Sequence, residues 1–212
     1  MKKKKIFYAI LSFFLIATGI SLIIVSLPKK NSKEKEAEYL PCPVLKDGET
    51  MDVIVPPSMH PRWSASYTAM REKWDGRCVD AWVNEDGLLV VKYDRETLEK
   101  EYMRSYDILM REINGSENDK IKLKVSYDYS ELYMYVKDDA DIEDFGSSVM
   151  VAPITCLNLR LLQGLSPEEA TIDVIYIYEP TGKKLLRIDE KTDNFHMNQD
   201  DWQQLLEEAR QG

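Results

Sequence analysis

The run IFYAILSFFLIATGISLIIVSL, Ile6 to Leu27, carries no charge and no proline over 22 residues. At about 1.5 Å per residue a helix of that length covers a hydrocarbon layer of roughly 30 Å. Lys2 to Lys5 precede it, and Pro28, Lys29 and Lys30 close it. A cleaved signal peptide has an apolar core of about 7–15 residues ending at a small-x-small site. This run is longer and offers only IVS before Leu27, so the sequence predicts an uncleaved signal-anchor. Cys42 lies behind a charged stretch, too far from the run for lipid attachment at a processed cysteine. Lysines flank both ends, with Lys29, Lys30, Lys33 and Lys35 beyond the run, so the positive-inside count is nearly balanced. The short tail before this first apolar segment sets the orientation expected here. Residues 1–5 form a cytoplasmic tail, 6–27 a single-pass anchor in the lipid bilayer of the cell membrane, 28–41 a charged spacer, and 42–212 an extracytoplasmic domain.

The outer part is strongly acidic. The chain has 28 bases and 37 acids. Eight bases and three acids lie in residues 1–40, which leaves 20 against 34 beyond them, a net of −14. Such a domain is repelled by nucleic acid and by anionic head groups, and nucleic acid is excluded as a partner on that ground.

Past the spacer, the pattern is a hairpin followed by a helix, three times. CVDAWVNEDGLLVVKYD is two apolar runs around NEDG, and Leu98, Tyr102, Tyr106, Leu109 and Ile113 then recur at helical spacing between Asp94 and Gly115. KIKLKVSYDYSELYMYVKD is the second hairpin, followed by an apolar segment in which Pro153 should break or delay a helix. TIDVIYIYEPTGKKLLRIDE is the third, followed by a helix with Trp202, Leu205, Leu206 and Ala209 on one side and Asn198 as its cap. A further amphipathic stripe, Trp63, Tyr67, Met70 and Trp74, precedes the first hairpin. The expected fold is α+β: one antiparallel sheet built from three hairpin-helix units, helices mainly on one face. The alternative is a ferredoxin-like βαββαβ core, Gly87 to Tyr178, with additions.

Familiar chemistry is missing from the sequence. His60 and His196 stand alone, and no nucleophile elbow, zinc-binding helix, phosphate loop or dinucleotide fingerprint is present. Asp139, Asp141 and Glu143 alternate as calcium ligands do, but Asp144 and Met150 occupy the positions an EF-hand gives to glycine and a final acid. Asn114-Gly-Ser116 matches a glycosylation acceptor and equally a helix end. Three cysteines, Cys42, Cys78 and Cys156, allow at most one disulfide, and none sits in a C-x-x-C pair. The expectation is therefore a chain without catalytic residues, metal or cofactor.

The tyrosines remain. Alternation along the second hairpin groups Ile121, Leu123, Val125 and Tyr127 with Leu132, Met134 and Val136 on the buried side. It turns Lys122, Lys124, Tyr133 and Tyr135 the other way and leaves Tyr129 at the turn. IDVIYIY carries bulk on both faces, so Tyr133, Tyr135, Tyr176 and Tyr178 are the candidate binding residues of a sheet face turned away from the helices. The function expected is a membrane-anchored protein-binding or envelope-assembly module with an envelope protein as partner. A motif-less enzyme using Asp139, Asp141 or Glu143, or a ligand-sensing ectodomain, are the alternatives.

Overall fold

The computed structural model describes residues 39–56, 59, 76–116, 120–145, 148–189 and 198–211. The predicted anchor 6–27, the tail, most of the spacer, the Trp63–Trp74 stripe and both histidines lie outside the described residues. Among the described residues no helix is long and apolar enough to cross a membrane.

In chain order the strands and helices are β1 (Met51–Val55), β2 (Asp80–Val83), β3 (Leu89–Tyr93), α1 (Arg95–Gly115), β4 (Ile121–Val125), β5 (Glu131–Val136), α2 (Ser148–Leu161), β6 (Asp173–Tyr178), β7 (Lys183–Ile188) and α3 (Gln199–Arg210). Each of the three hairpins read from the sequence is present and each is followed by a helix. The β2–β3 turn is built by Asn84, whose Oδ1 accepts from the amides of Asp86 and Leu88, and by Gly87 at φ 78°, which a side chain would strain. Asp94 starts α1 with a reciprocal capping box: its carboxylate accepts from the Thr97 amide at 2.9 Å, and the Thr97 hydroxyl accepts from the Asp94 amide at 3.0 Å.

The strands form two sheets, not one. β1-β3-β2 is antiparallel throughout; β4-β5-β6-β7 is mixed, because β5 and β6 run parallel. A helix between two strands returns the chain to the end from which it started, so α2 delivers β6 alongside β5 in the same direction. The ferredoxin-like alternative requires β3 to enter the same sheet as β4, β5 and β6. It pairs instead with β1 and β2, and α1 leads from that sheet to the next.

Pro153 does not stop α2, which runs from Ser148 through it. The lost amide falls near the helix start, one missing bond in the element, and Ala152, Cys156, Leu159 and Leu161 beside and beyond it are fully buried. α2 packs against α1 and reaches β1 and β5. One hydrophobic core spans both sheets: Val53, Leu89 and Val91 from the first, Leu123, Leu132, Met134 and Val136 from the second, with Leu98, Leu159 and Trp202 from the helices.

Candidate functional site

Strand register decides which tyrosines share a face. Across the four-stranded sheet, Lys122 lies beside Tyr135, Tyr135 beside Ile177, and Ile177 beside Lys184. The next row on the same face runs Lys124, Tyr133, Ile175, Arg187. Each row is therefore a base on one edge strand, a tyrosine, an isoleucine, and a base on the other edge strand. No described helix covers these rows: Lys124, Lys184 and Arg187 are exposed, and Tyr133, Tyr135 and Ile177 are half-buried. Ile175, on the same face, is buried.

The charges on the face are unevenly neutralised. Below the second row come Glu131 and Asp173, which are themselves neighbours. Asp173 pairs with Arg187, and Glu131 accepts a hydrogen bond from the Tyr133 hydroxyl, which is pushed up to about 12 by that bond first and by burial second. Lys124 instead places its ammonium 4.8 Å from the centre of the Tyr135 ring, a cation–π contact that holds the ring against the sheet. Among the described residues no carboxylate lies within ion-pair distance of Lys122, Lys124 or Lys184. The upper row is thus net positive and aromatic.

Tyr176 and Tyr178 are not part of this surface, which corrects the grouping of four. In the parallel register they sit beside Met134 and Val136, on the side facing the helices, and both are buried. Tyr176 meets Phe145 and Trp202 at ring-centre distances of 5.6 and 6.3 Å, and burial pushes its hydroxyl up to about 12. The hydroxyl of Tyr178 donates to Asp138, whose carboxylate also accepts from Arg210 Nε at 2.7 Å, so that β6 and the end of α3 hold one acid between them. Both tyrosines are structural.

The turn tyrosines also exchange roles. Tyr127, expected in the buried row, is 53 % exposed, because β4 ends at Val125 and the alternation ends with it. Tyr129 is fully buried at φ 61°, a left-handed conformation that points its ring inward from the turn. Its hydroxyl lies 2.9 Å from that of Tyr102, and both donate to the carbonyl of Leu40. The ring of Tyr39 stacks on Tyr129, and Gln163 Nε2 donates to the Pro41 carbonyl at 2.9 Å. The chain entering from the spacer is therefore fastened to the domain at Tyr39 to Pro41.

The acids Asp139, Asp141 and Glu143 do not converge on a shared centre among the described residues. Asp144 caps the Asp141 amide and pairs with Lys120 at 3.0 Å, while Asp139 and Glu143 are exposed. Among the described residues no group of three His, Cys, Asp or Glu side chains is placed to hold a metal ion. Cys42, Cys78 and Cys156 form no disulfide.

No family model, curated protein or solved structure matches this chain.

Proposed function

We propose that the chain is a membrane-anchored protein, held by residues 6–27 with its folded part outside the cell membrane, that binds an envelope protein through the outer face of the β4–β7 sheet. One observation carries this reading. Lys122, Lys124, Lys184 and Arg187 collect around Tyr133 and Tyr135 on one face, covered by no described helix, of a domain whose net charge is −14. A domain so acidic has no need of bases for solubility, and their concentration on one face favours an acidic partner surface. Tyrosine supplies wide contact area with a polar end and few torsions to immobilise. Leu123, Leu132 and Met134 beneath hold the strands rigid, so the face is presented with little ordering cost.

The test is site-specific photocrosslinking in intact cells from position 135, compared with the same label at Glu85 in the β2–β3 turn. A discrete adduct is expected from position 135 alone. It should vanish in the K122E/K124E/K184E variant and weaken as ionic strength rises through the range where the Debye length falls from about 10 Å toward 3 Å. An adduct that survives the charge reversal, or equal adducts from positions 135 and 85, overturns the proposal.

A further inference from the structure

A second feature lies on another part of the molecule and is independent of the sheet face. α1, α2 and the β1-β3-β2 sheet enclose a cleft of about 260 Å³. Its apolar walls are Val53, Val55 and Leu89 from the sheet, Ile108 from α1 and Ile154 from α2. Ile154 is 48 % exposed, which leaves an apolar lip at the mouth.

The polar side of the cleft is centred on Glu101, a carboxylate only 6 % exposed. A buried charge of this kind requires a partner, and Arg77 supplies one with two hydrogen bonds: Nη2 to Oε1 at 2.5 Å and Nε to Oε2 at 3.2 Å. That fork occupies both carboxylate oxygens. Arg104, one helical turn along α1, also lines the cleft, and its guanidinium comes no nearer to Glu101 than 3.9 Å. It is beyond hydrogen-bond reach and just over half exposed, a cation at the mouth that makes one weak ion pair among the described residues.

The second observation is Tyr93. It lines the same cleft, is 2 % exposed, and its hydroxyl makes no hydrogen bond among the described residues. Its proton is available to an acceptor in the cleft that it lines. Ser105 is nearby: its oxygen already accepts from Asn158 Nδ2 at 2.8 Å, which leaves its proton to donate. Thr155 gives its proton to the Val151 carbonyl at 2.7 Å. The cleft therefore offers donors, Tyr93 and Ser105, beside a cation, Arg104, over an apolar floor, together with the acceptor oxygens of Asn158 and Thr155.

We infer that this cleft is a binding site for a small carboxylate with an apolar body, its carboxylate held by Arg104 and Tyr93 and its hydrocarbon part lying on Val53, Leu89 and Ile154. The volume is below the roughly 300–1,000 Å³ of sites for drug-sized molecules, so the ligand is short. The charge already neutralised by Arg77 stays out of the way: Glu101 keeps that arginine fixed and leaves Arg104 for the incoming anion.

The experiment titrates the full-length chain, solubilised in a non-ionic detergent, with hexanoate, hexan-1-ol and hexylamine while the methyl signals of Ile108 and Ile154 are followed by NMR. Comparison among three probes of one chain length cancels their partition into detergent. Hexanoate should shift both methyl signals saturably and bind at least tenfold more tightly than the alcohol, and the amine should not saturate. R104Q should remove that tenfold preference while alcohol binding is unchanged, and Y93F should weaken hexanoate several-fold, with the methyl dispersion of a folded protein retained in both. Equal binding of acid and alcohol, preference for the amine, or no saturable shift at Ile108 and Ile154 in the wild-type chain would each overturn the assignment. None of these outcomes depends on Lys122, Lys124, Lys184, Tyr133 or Tyr135, so failure here and failure of the sheet-face reading are distinguishable.

Discussion

Tyr127 and Tyr129 are two residues apart in one turn and should respond oppositely to truncation. Tyr129→Ala removes a fully buried ring, its stack on Tyr39 and its hydrogen bond to the Leu40 carbonyl, and should cost about 3–5 kcal/mol, the range for deleting a buried aromatic. Tyr129→Phe keeps the ring and loses the hydroxyl, which leaves Tyr102 to satisfy the Leu40 carbonyl; about 1 kcal/mol is expected. Tyr127→Ala touches only an exposed side chain and should stay within about 0.5 kcal/mol. Urea denaturation of the three variants checks the order. A Tyr127→Ala loss as large as that of Tyr129→Ala would contradict the turn described here. The sequence placed a tyrosine at the turn but not its direction, because period-two reasoning applies only while the backbone stays extended, and Tyr129 sits at φ 61°. Its partners are also remote: Leu40 is 89 positions away and Tyr102 is 27.

At the scale of elements, α3 shows which contacts fix a helix to a sheet. Asn198 caps it, accepting from the Asp201 amide at 2.9 Å, and Trp202 enters the core with its indole nitrogen donating to the Ala140 carbonyl at 3.1 Å. Phe145 meets the Trp202 ring edge-on at 4.8 Å. Trp202→Ala should cost about 3–5 kcal/mol and Asn198→Ala about 1 kcal/mol. Arg210→Ala, which removes a partner of the exposed Asp138, should cost the least of the three. Thermal melting read at the near-ultraviolet tryptophan signal separates the three. This helix was fully legible, since its cap and its stripe of Trp202, Leu206 and Ala209 lie within a dozen residues of one another. The alternation that set Tyr133 and Tyr135 opposite Leu132 and Met134 was legible for the same reason. What sequence could not supply was the neighbour of β5. Whether Tyr133 stands beside Ile175 or beside a tyrosine depends on strand direction and register across an intervening helix, and local periodicity carries neither. Tyr176 and Tyr178 were therefore assigned to the wrong side of the sheet.

For the whole molecule, the placement of titratable groups predicts an asymmetric dependence of stability on pH. On the acid side, Asp94 and Asp144 are held below the ordinary carboxylate value, Asp94 by hydrogen bonds from Thr97 and Asp144 by the Asp141 amide and Lys120. Their contribution is present above the ordinary value and is lost as pH falls through the native one. Both carboxylates are at the surface, so the acid limb should be shallow. On the alkaline side the groups are buried. Burial pushes the Cys156 thiol up to about 12 from 9.0, and the Tyr176 hydroxyl up to about 12 from 10.0. Here the native pKa lies above the unfolded one, so the stabilisation is complete below the unfolded value and is lost as pH rises toward the native value. Between about pH 9 and 12 the unfolded chain releases these protons while the folded chain keeps them, and each group steepens the loss by up to about 1.4 kcal/mol per pH unit. Urea midpoints of the full-length chain should be nearly flat from pH 6 to 8 and fall from about pH 9. Cys156→Ala removes one of two thiols that burial raises, and leaves Cys42, pushed up to about 11 from 9.0, and Tyr176 in place. The variant starts less stable at pH 7, by about 1 kcal/mol for the small cavity, and its decline from about pH 9 should be shallower than that of the wild type. Parallel declines in wild type and variant between pH 8.5 and 10 would show that Cys156 is not shielded from water by α2 and its neighbours, and with that the packing of α2 into the shared core would have to be redrawn.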